Sequence, residues 1–225
     1  MKVAIKIGGY AFPSRLDLRR ISAYAEMLRK LRDEGHRLIV VTGGGEEARK
    51  YIDAARKLGG SEGVCDLIGI EVSRLNARLM ISRLGGDAYP EPPTSVKELR
   101  KAFETGKIVI LGGLQPGQST NAVAALCAEA IDADLFINAT DVDGVYTADP
   151  DEDPNAEKLD EISADELLRK VLSKELWAGR YDLFDPIAIK IVMRSKILTR
   201  IIDGRKVENI ERAIKGEKLG TLILV

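Results

Sequence analysis

Short apolar runs alternate along this chain with longer segments whose apolar residues recur every three or four positions. The runs predict buried strands at residues 3–7, 37–42, 108–111, 135–137, 199–202 and 222–224. The periodic segments predict helices at 14–34, 64–84, 96–104 and 163–172, and further helices start near residues 46, 120 and 185. Helices that alternate with strands in this way indicate a three-layer α/β/α sandwich around a mainly parallel sheet.

Several of the predicted strands run straight into glycine. The first ends at Gly8-Gly9, the second at Gly43-Gly44-Gly45, and the third at Gly112-Gly113. Glycine lets the backbone approach a ligand closely, and the amides at the start of a following helix point towards an anion. We therefore interpret the second and third turns as phosphate-binding loops, with Arg49 as an additional donor.

The fourth apolar run, 135–137, leads into the dense polar stretch Asn138–Pro150, NATDVDGVYTADP. In open parallel sheets the ligand crevice lies just outside the carboxyl ends of the strands. Thr140 and the aspartates of this stretch offer oxygen atoms there, and Tyr146 offers a flat face to a purine. Composition alone equally fits an ordinary acidic surface loop.

Charge and hydropathy exclude several functional classes. The net charge of −1 gives no basic field for nucleic acid or an anionic membrane. No apolar run reaches transmembrane length, and the first six residues do not have the pattern of a signal peptide. Cys65 and Cys127 are too far apart for a metal or redox motif. We expect a cytoplasmic protein with neither membrane nor nucleic-acid partners.

The stretch from Thr140 to Tyr146, followed by Ala148-Asp149-Pro150, resembles the ATP-binding segment of the amino acid kinase family. Within that family the likeness is to the archaeal uridylate kinases and spans nearly the whole chain. It includes the turn after Lys6, the turn before Arg49, residues 65–70, the loop 112–120 and residues 185–191. The resemblance implies a single amino acid kinase domain over 1–225, with an acceptor lobe at roughly 1–132 and an ATP lobe at roughly 133–225.

The same resemblance implies a reaction and a set of site residues. The reaction is transfer of the γ-phosphoryl group of ATP, with Mg²⁺, to UMP. The lysines expected to stabilise the moving phosphoryl group are Lys6 and Lys190. The residues expected to hold ATP are Gly9, Tyr10, Gly45, Arg49, Thr140, Tyr146 and Asp149. Those expected to hold UMP are Gly44, Asp66, Leu114, Gln115, Pro116, Gly117, Gln118, Ser119 and Thr120. No residue is assigned as a metal ligand.

Two positions depart from the pattern of the family. Tyr10 stands where many relatives have serine, so a backbone group is expected to replace a hydroxyl near the phosphates. Asn121 stands where many archaeal relatives have aspartate, which puts a carboxylate role there in doubt. The resemblance also implies a homohexamer and inhibition by UTP at the acceptor site.

Other functions are considered beside UMP phosphorylation. A related kinase would act on an acylglutamate or on isopentenyl phosphate, and a binding protein on this fold would resemble a molybdate storage subunit. The pattern Gly43-x-Gly45-x-x-Ala48 also loosely matches a dinucleotide fingerprint with Asp66 as its acidic partner. That motif follows the second strand, and Asp66 falls in a predicted helix, so both observations disfavour an oxidoreductase. The chain has no GxxxxGK[ST] sequence, which excludes a P-loop kinase.

Overall fold

A computed structural model describes residues 1–148, 150, 153–173 and 184–225. The strands of this part of the chain are β1 (Lys2–Ile7), β2 (Arg37–Thr42), β3 (Val109–Leu111), β4 (Leu135–Thr140), β5 (Val145–Tyr146), β6 (Lys158–Leu159), β7 (Glu161–Ser163), β8 (Thr199–Asp203) and β9 (Thr221–Leu224). The helices are α1 (Leu18–Asp33), α2 (Gly45–Lys57), α3 (Glu62–Leu84), α4 (Val96–Glu104), α5 (Thr120–Ala130), α6 (Ala164–Leu172), α7 (Pro186–Ser195) and α8 (Glu208–Ile214).

Within the described residues, seven strands form one sheet in the order β3-β2-β1-β4-β8-β9-β7. Neighbouring strands are parallel except for β8 and β9, which are antiparallel. Strands β5 and β6 form a separate antiparallel pair beyond the end of β4. The predicted three-layer fold with a mainly parallel sheet is therefore confirmed.

Alternating side chains of the strands build two hydrophobic cores, one on each face of the sheet. Ile5 and Ile137 pack with Leu28 in the core beneath α1, α3 and α8. Phe136 and Ala4 lie in the opposite core, which α4, α5, α6 and α7 cover. Because successive strand residues point to opposite faces, Lys6 lies on the same face as Ala4, beneath α5 and α7.

Capping residues decide where the helices begin. The helix predicted from residue 14 starts at Leu18, because the carboxylate of Asp17 accepts hydrogen bonds from the amides of Arg19 and Arg20, both at 3.1 Å. Ser163 and Asp185 cap α6 and α7, close to the helix starts that the sequence predicts. Sequence patterns did not predict β5, β6, β7 or α8. No helix in the described ranges is long and apolar enough to cross a membrane.

Candidate active site

A cavity of about 440 Å³ opens at the carboxyl ends of β1, β2 and β3. All three predicted glycine turns contribute to its wall. Its lining residues are Gly9, Gly43, Gly44, Gly45, Ala48, Arg49, Ile52, Asp66, Gly69, Ile70, Ser73, Gly113, Gln118 and Thr120. Glycine backbone, a guanidinium, a carboxylate and a hydroxyl thus converge on one space, a combination that suits a phosphorylated ligand with a polar second group.

The turns after β1 and β2 are in direct contact. A side chain on Gly9 would bring its Cβ to 2.9 Å from the Cα and the amide nitrogen of Gly45, which no real Cβ tolerates. Gly45 itself adopts a φ of +70°, a conformation that favours glycine. Both turns need glycine so that two backbone segments can meet beside the cavity.

The inner face of α3 holds the glycine turns in place. The buried side chain of Asn76 donates hydrogen bonds to the carbonyl oxygens of Gly43 at 2.8 Å and of Gly44 at 3.2 Å. The hydroxyl of Ser73 accepts a hydrogen bond from the amide of Gly113 at 2.7 Å. Helix α3 therefore sets the orientation of the backbone in the turns after both β2 and β3.

The same helix holds the loop 114–120. The Arg74 guanidinium donates to the carbonyl oxygens of Gly113 at 3.1 Å and Leu114 at 3.2 Å. One turn after the start of α3, the Asp66 carboxylate accepts a hydrogen bond from the amide of Gly117 at 2.8 Å. The loop is thus attached to α3 at its start and at its middle.

The end of the loop is also tied to the other half of the chain. The hydroxyl of Ser119 accepts from the amides of Asn121 and Ala122, both at 3.0 Å, and so caps α5. That hydroxyl also donates to the carboxylate of Asp185, which caps α7 through the amides of Ile187 and Ala188. A single pair of side chains therefore joins the starts of two neighbouring helices.

Residues after β4 form a second polar region. Thr140 is buried at the end of the strand, and its hydroxyl donates to the Asp141 carboxylate at 3.1 Å. The hydroxyl of Tyr146 donates to the Asp143 carboxylate at 2.8 Å, and this hydrogen bond raises the pKa of the phenol. Neither Thr140 nor Tyr146 lines the cavity. Asp149 lies outside the described residues.

Comparison with known proteins decides the family. The model of the amino acid kinase family matches residues 1–203. The chain belongs to the amino acid kinase family. A uridylate kinase of Hyperthermus butylicus is 52% identical over 98% of this chain and 97% of its own length. A uridylate kinase of Methanococcoides burtonii is 47% identical over the full length of both chains.

Solved structures of amino acid kinases agree with this membership. Uridylate kinase from Archaeoglobus fulgidus is 42% identical and superposes with a TM-score of 0.90 over 99% of this chain and 100% of its own. A UMP kinase from Bacillus anthracis, at 21% identity and a TM-score of 0.84, covers 99% of this chain and 95% of its own and shows the shared fold.

The two predicted lysines of this amino acid kinase lie on one side of the sheet. Lys6 is only 8% exposed near the end of β1, and its strand neighbour in the register is the buried Asn138. Both residues face the layer that contains α5 and α7. Lys190 is exposed on α7, between residues that pack in the core beneath that helix. Neither lysine lines the cavity.

The structure brings together part of the predicted site. Seven of the assigned residues line the cavity, namely Gly9, Gly44, Gly45, Arg49, Asp66, Gln118 and Thr120. The side chain of Tyr10 instead turns away to the hydroxyl of Tyr24 at 2.7 Å. Leu114, Gln115, Pro116, Gly117 and Ser119 belong to the loop but do not line the cavity.

Sequence reasoning missed Ser73, Arg74 and Asn76, which anchor the loops of the site. A signal for them exists in the sequence. Ser73 and Asn76 interrupt the apolar inner face of α3 at a spacing of three residues, and both are more than 90% buried. Polar side chains on a buried helix face require hydrogen-bond partners, and here the partners are the glycine turns.

Proposed function

We propose that this chain is a UMP kinase, which transfers the γ-phosphoryl group of ATP to UMP and releases UDP and ADP. Full-length similarity to proteins named uridylate kinase supports the acceptor. The attachment of the loop 114–120 to Asp66, across a cavity walled by glycine turns, is the observation that carries the proposal.

In this proposal the cavity receives UMP. Gly44 and the N-terminus of α2 offer amides to its phosphate, and the Asp66 carboxylate accepts hydrogen bonds from the ribose hydroxyls. The base is read by the loop formed by Leu114, Gln115, Pro116, Gly117, Gln118, Ser119 and Thr120. That loop carries no charged side chain, so uracil is recognised by backbone groups and neutral polar side chains. A wrong base would leave some of these buried polar groups without a hydrogen-bond partner, and this cost discriminates against it.

ATP in this proposal extends from the turn after β1 to the region beyond β4. Gly9, the backbone of Tyr10, Gly45 and Arg49 meet its phosphates, while Thr140, Tyr146 and Asp149 meet the rest of the nucleotide. Mg²⁺ is held mainly by substrate phosphates in such enzymes and needs one or two protein carboxylates at most. The exposed carboxylates of Asp141 and Asp143 beside Thr140 fit that donor set, and bound Mg²⁺ would neutralise phosphate charge.

The chemistry requires positioning and charge stabilisation, without a covalent intermediate. Lys6, mostly buried beneath α5 and α7, offers a cation whose attraction for phosphate is little weakened by water. Lys190, on α7, offers a second cation. We assign both lysines to stabilise the transferring phosphoryl group, where charge spreads over its oxygen atoms.

A coupled assay that detects ADP tests the proposal. UMP, CMP, dCMP and an acylglutamate are offered separately with ATP and Mg²⁺, and turnover is expected to be far faster with UMP. Activity confined to the acylglutamate would overturn the assignment of the acceptor, and equal turnover of CMP and UMP would overturn the assignment of base recognition to the loop.

Further parts of the proposal concern assembly and regulation. UTP is expected to inhibit competitively with UMP because its uracil and ribose make the same contacts. We also propose a homohexamer in the cytoplasm, in which residues 1–132 mainly bind the acceptor and residues 133–225 mainly bind ATP. Inhibition by UTP that does not vary with UMP concentration, or a monomer in light scattering, would contradict these parts.

A further inference from the structure

The aromatic ring of Tyr10 spans the carboxyl end of the central strand β4. On one side it lies against the turn after β1, where a Cβ on Gly8 would sit 2.8 Å from the ring. On the other side it reaches the turn after β8, where a Cβ on Gly204 would overlap the phenolic oxygen. In the sheet β4 lies between β1 and β8, so the ring bridges two strands that are not neighbours.

The hydroxyl groups of two tyrosines continue this bridge in a fixed direction. The Tyr24 hydroxyl lies 2.7 Å from that of Tyr10 and donates to the carbonyl oxygen of Gly204 at 2.6 Å. A phenol carries one proton, and a carbonyl can only accept. Because the proton of Tyr24 is used on Gly204, the Tyr10 hydroxyl must donate to Tyr24. The order is therefore Tyr10 to Tyr24 to Gly204.

Helix α1 holds Tyr10 at both its backbone and its side chain. The Arg20 guanidinium donates to the carbonyl oxygen of Tyr10 at 3.2 Å, and the Tyr24 hydroxyl accepts the hydrogen bond of the Tyr10 phenol. Arg20 and Tyr24 are four residues apart and therefore lie on one face of the helix. The segment directly after Gly9 is thus attached to a rigid element outside the cavity.

The other end of the chain of hydroxyls reaches the proposed ATP region. The carbonyl oxygen of Gly204 accepts a hydrogen bond from the Tyr24 hydroxyl, and the amide of Gly204 donates to the carbonyl oxygen of Thr140 at 2.8 Å. Thr140 is assigned to ATP, as is Gly9 at the opposite end. The tyrosine pair therefore connects the backbone of two ATP-binding segments that are separated by about 130 residues in sequence.

We propose that Tyr24 is a positioning residue for ATP, which acts through the Tyr10 phenol and the Gly204 carbonyl without touching the nucleotide. This inference rests on the ATP half of the proposed function and is independent of the identity of the acceptor. Tyr24 holds the turn after β1 at a fixed separation from Gly204, whose amide in turn holds the carbonyl of Thr140, so that Gly9 and Thr140 meet the same nucleotide. Tyr10 then contributes its backbone to ATP, because its side chain is occupied by this bridge.

The test compares Tyr24→Phe, Tyr10→Phe and the double variant with wild type, and uses Tyr51→Phe on the exposed side of α2 as a matched control. Each change removes one oxygen atom. The measurements are the dissociation constant of ATP with Mg²⁺ by calorimetry, and KM for both substrates. Loss of ordinary hydrogen bonds predicts an ATP dissociation constant about fivefold higher in Tyr24→Phe, with KM for UMP unchanged.

A serial arrangement predicts that the double variant binds ATP no more weakly than Tyr24→Phe. Tyr51→Phe is expected to match wild type. An unchanged ATP dissociation constant in Tyr24→Phe, or an equal rise in the constants for ATP and UMP, would refute the role, as would wild-type protein that does not bind ATP. Wild-type protein that binds ATP but does not phosphorylate UMP would overturn only the proposed acceptor. If Tyr24→Phe does not fold, the ATP dissociation constant of Tyr10→Phe is compared with that of wild type instead.

Discussion

The carboxylate of Asp66 holds the amide of Gly117 at 2.8 Å and thereby attaches the middle of the proposed acceptor loop to α3. The second carboxylate oxygen has no hydrogen bond to any residue that the structure describes. The same side chain can therefore support the loop and accept a hydrogen bond from a ribose.

Replacement of Asp66 is expected to weaken UMP binding without slowing the chemical step. Asp66→Ala should raise KM for UMP about tenfold and leave kcat and KM for ATP nearly unchanged, because contacts equal in ground and transition states affect KM alone. Asp66→Asn should have a smaller effect, since its amide oxygen can still accept from Gly117. Loss of kcat at saturating UMP would instead place Asp66 beside the phosphoryl group.

Replacement of Lys190 should produce the opposite pattern. A cation that meets charge only in the transition state acts on kcat, and loss of one such group typically costs about 10²–10³ in rate. Lys190→Met is expected to lower kcat by that factor with little change in either KM. Lys97→Met, an exposed lysine on α4, is the control and should behave as wild type. Steady-state kinetics with both substrates decides the matter.

The contact between Ser119 and Asp185 should matter for rate more than for stability. Asp185→Asn keeps an oxygen to cap α7 but places an amide donor against the Ser119 hydroxyl, which already accepts two hydrogen bonds. We expect kcat to fall about tenfold or more, since small misplacements of reacting groups are costly. The melting temperature should change little.

Ser119→Ala removes both the cap and the contact, whereas Ser163→Ala removes a comparable cap on α6 and no residue assigned to the site. Each should lose about 1 kcal/mol of stability. Only Ser119→Ala should slow turnover. A matching kinetic defect in Ser163→Ala would show that the effect comes from general destabilisation.

The buried amide of Asn76 should be needed for both stability and substrate binding. Asn76→Asp removes the donor to the carbonyl oxygens of Gly43 and Gly44 and buries acceptors without a partner, which costs about 1–3 kcal/mol. KM for UMP should rise because the turn beside the phosphate is no longer oriented. Asn155→Asp, on an exposed turn, is the control for denaturation and kinetics. Wild-type behaviour of Asn76→Asp would contradict the anchoring role.

The tyrosine pair should give the protein a stability loss at high pH. Burial is the main cause that raises the pKa of Tyr24 from 10.0 to about 12, and burial also raises the pKa of Tyr10. Above pH 10 the unfolded chain releases protons that the folded chain retains, so the free energy of unfolding falls as pH rises towards 12. Chemical denaturation from pH 9 to 11.5 should show that the free energy of unfolding falls less steeply with pH in Tyr24→Phe than in wild type. Equal slopes in the two proteins would contradict the raised pKa values.

Apolar runs predicted six of the seven strands in the described sheet, because strands that are buried on both faces leave a continuous apolar signal, as in residues 37–42. Strands β5, β6 and β7 were missed because each has only two or three residues and, unlike β3, none is a continuous apolar run of three. Helix α8 was missed although Ile210, Ala213 and Ile214 carry helical spacing. Helix α1 starts four residues later than predicted, because Asp17 caps it and the helical pattern of residues 14–17 is not used.

The residues of the candidate site also fall into those with a local sequence signal and those without one. Glycine turns and their neighbours, such as Gly45 and Arg49, can be predicted because a local sequence reports a local need for close backbone approach. The partner of Tyr10 could not be predicted, because nothing in the residues near it specifies a phenol fourteen positions away on α1. Asn76 and Ser73 likewise acquire their roles only when α3 packs beside the turns.

The parallel pairing of β7 with β9 affects how the chain acquires its structure. In the described sheet β7 lies at an edge and contacts the other strands through β9, whose residues follow about sixty positions later. Residues 161–163 are therefore synthesised before residues 221–224, the strand with which they pair. Closure of so long a loop slows folding. Pairing of β7 with the sheet therefore depends on β9, and a variant that weakens β9 should also leave β7 unpaired.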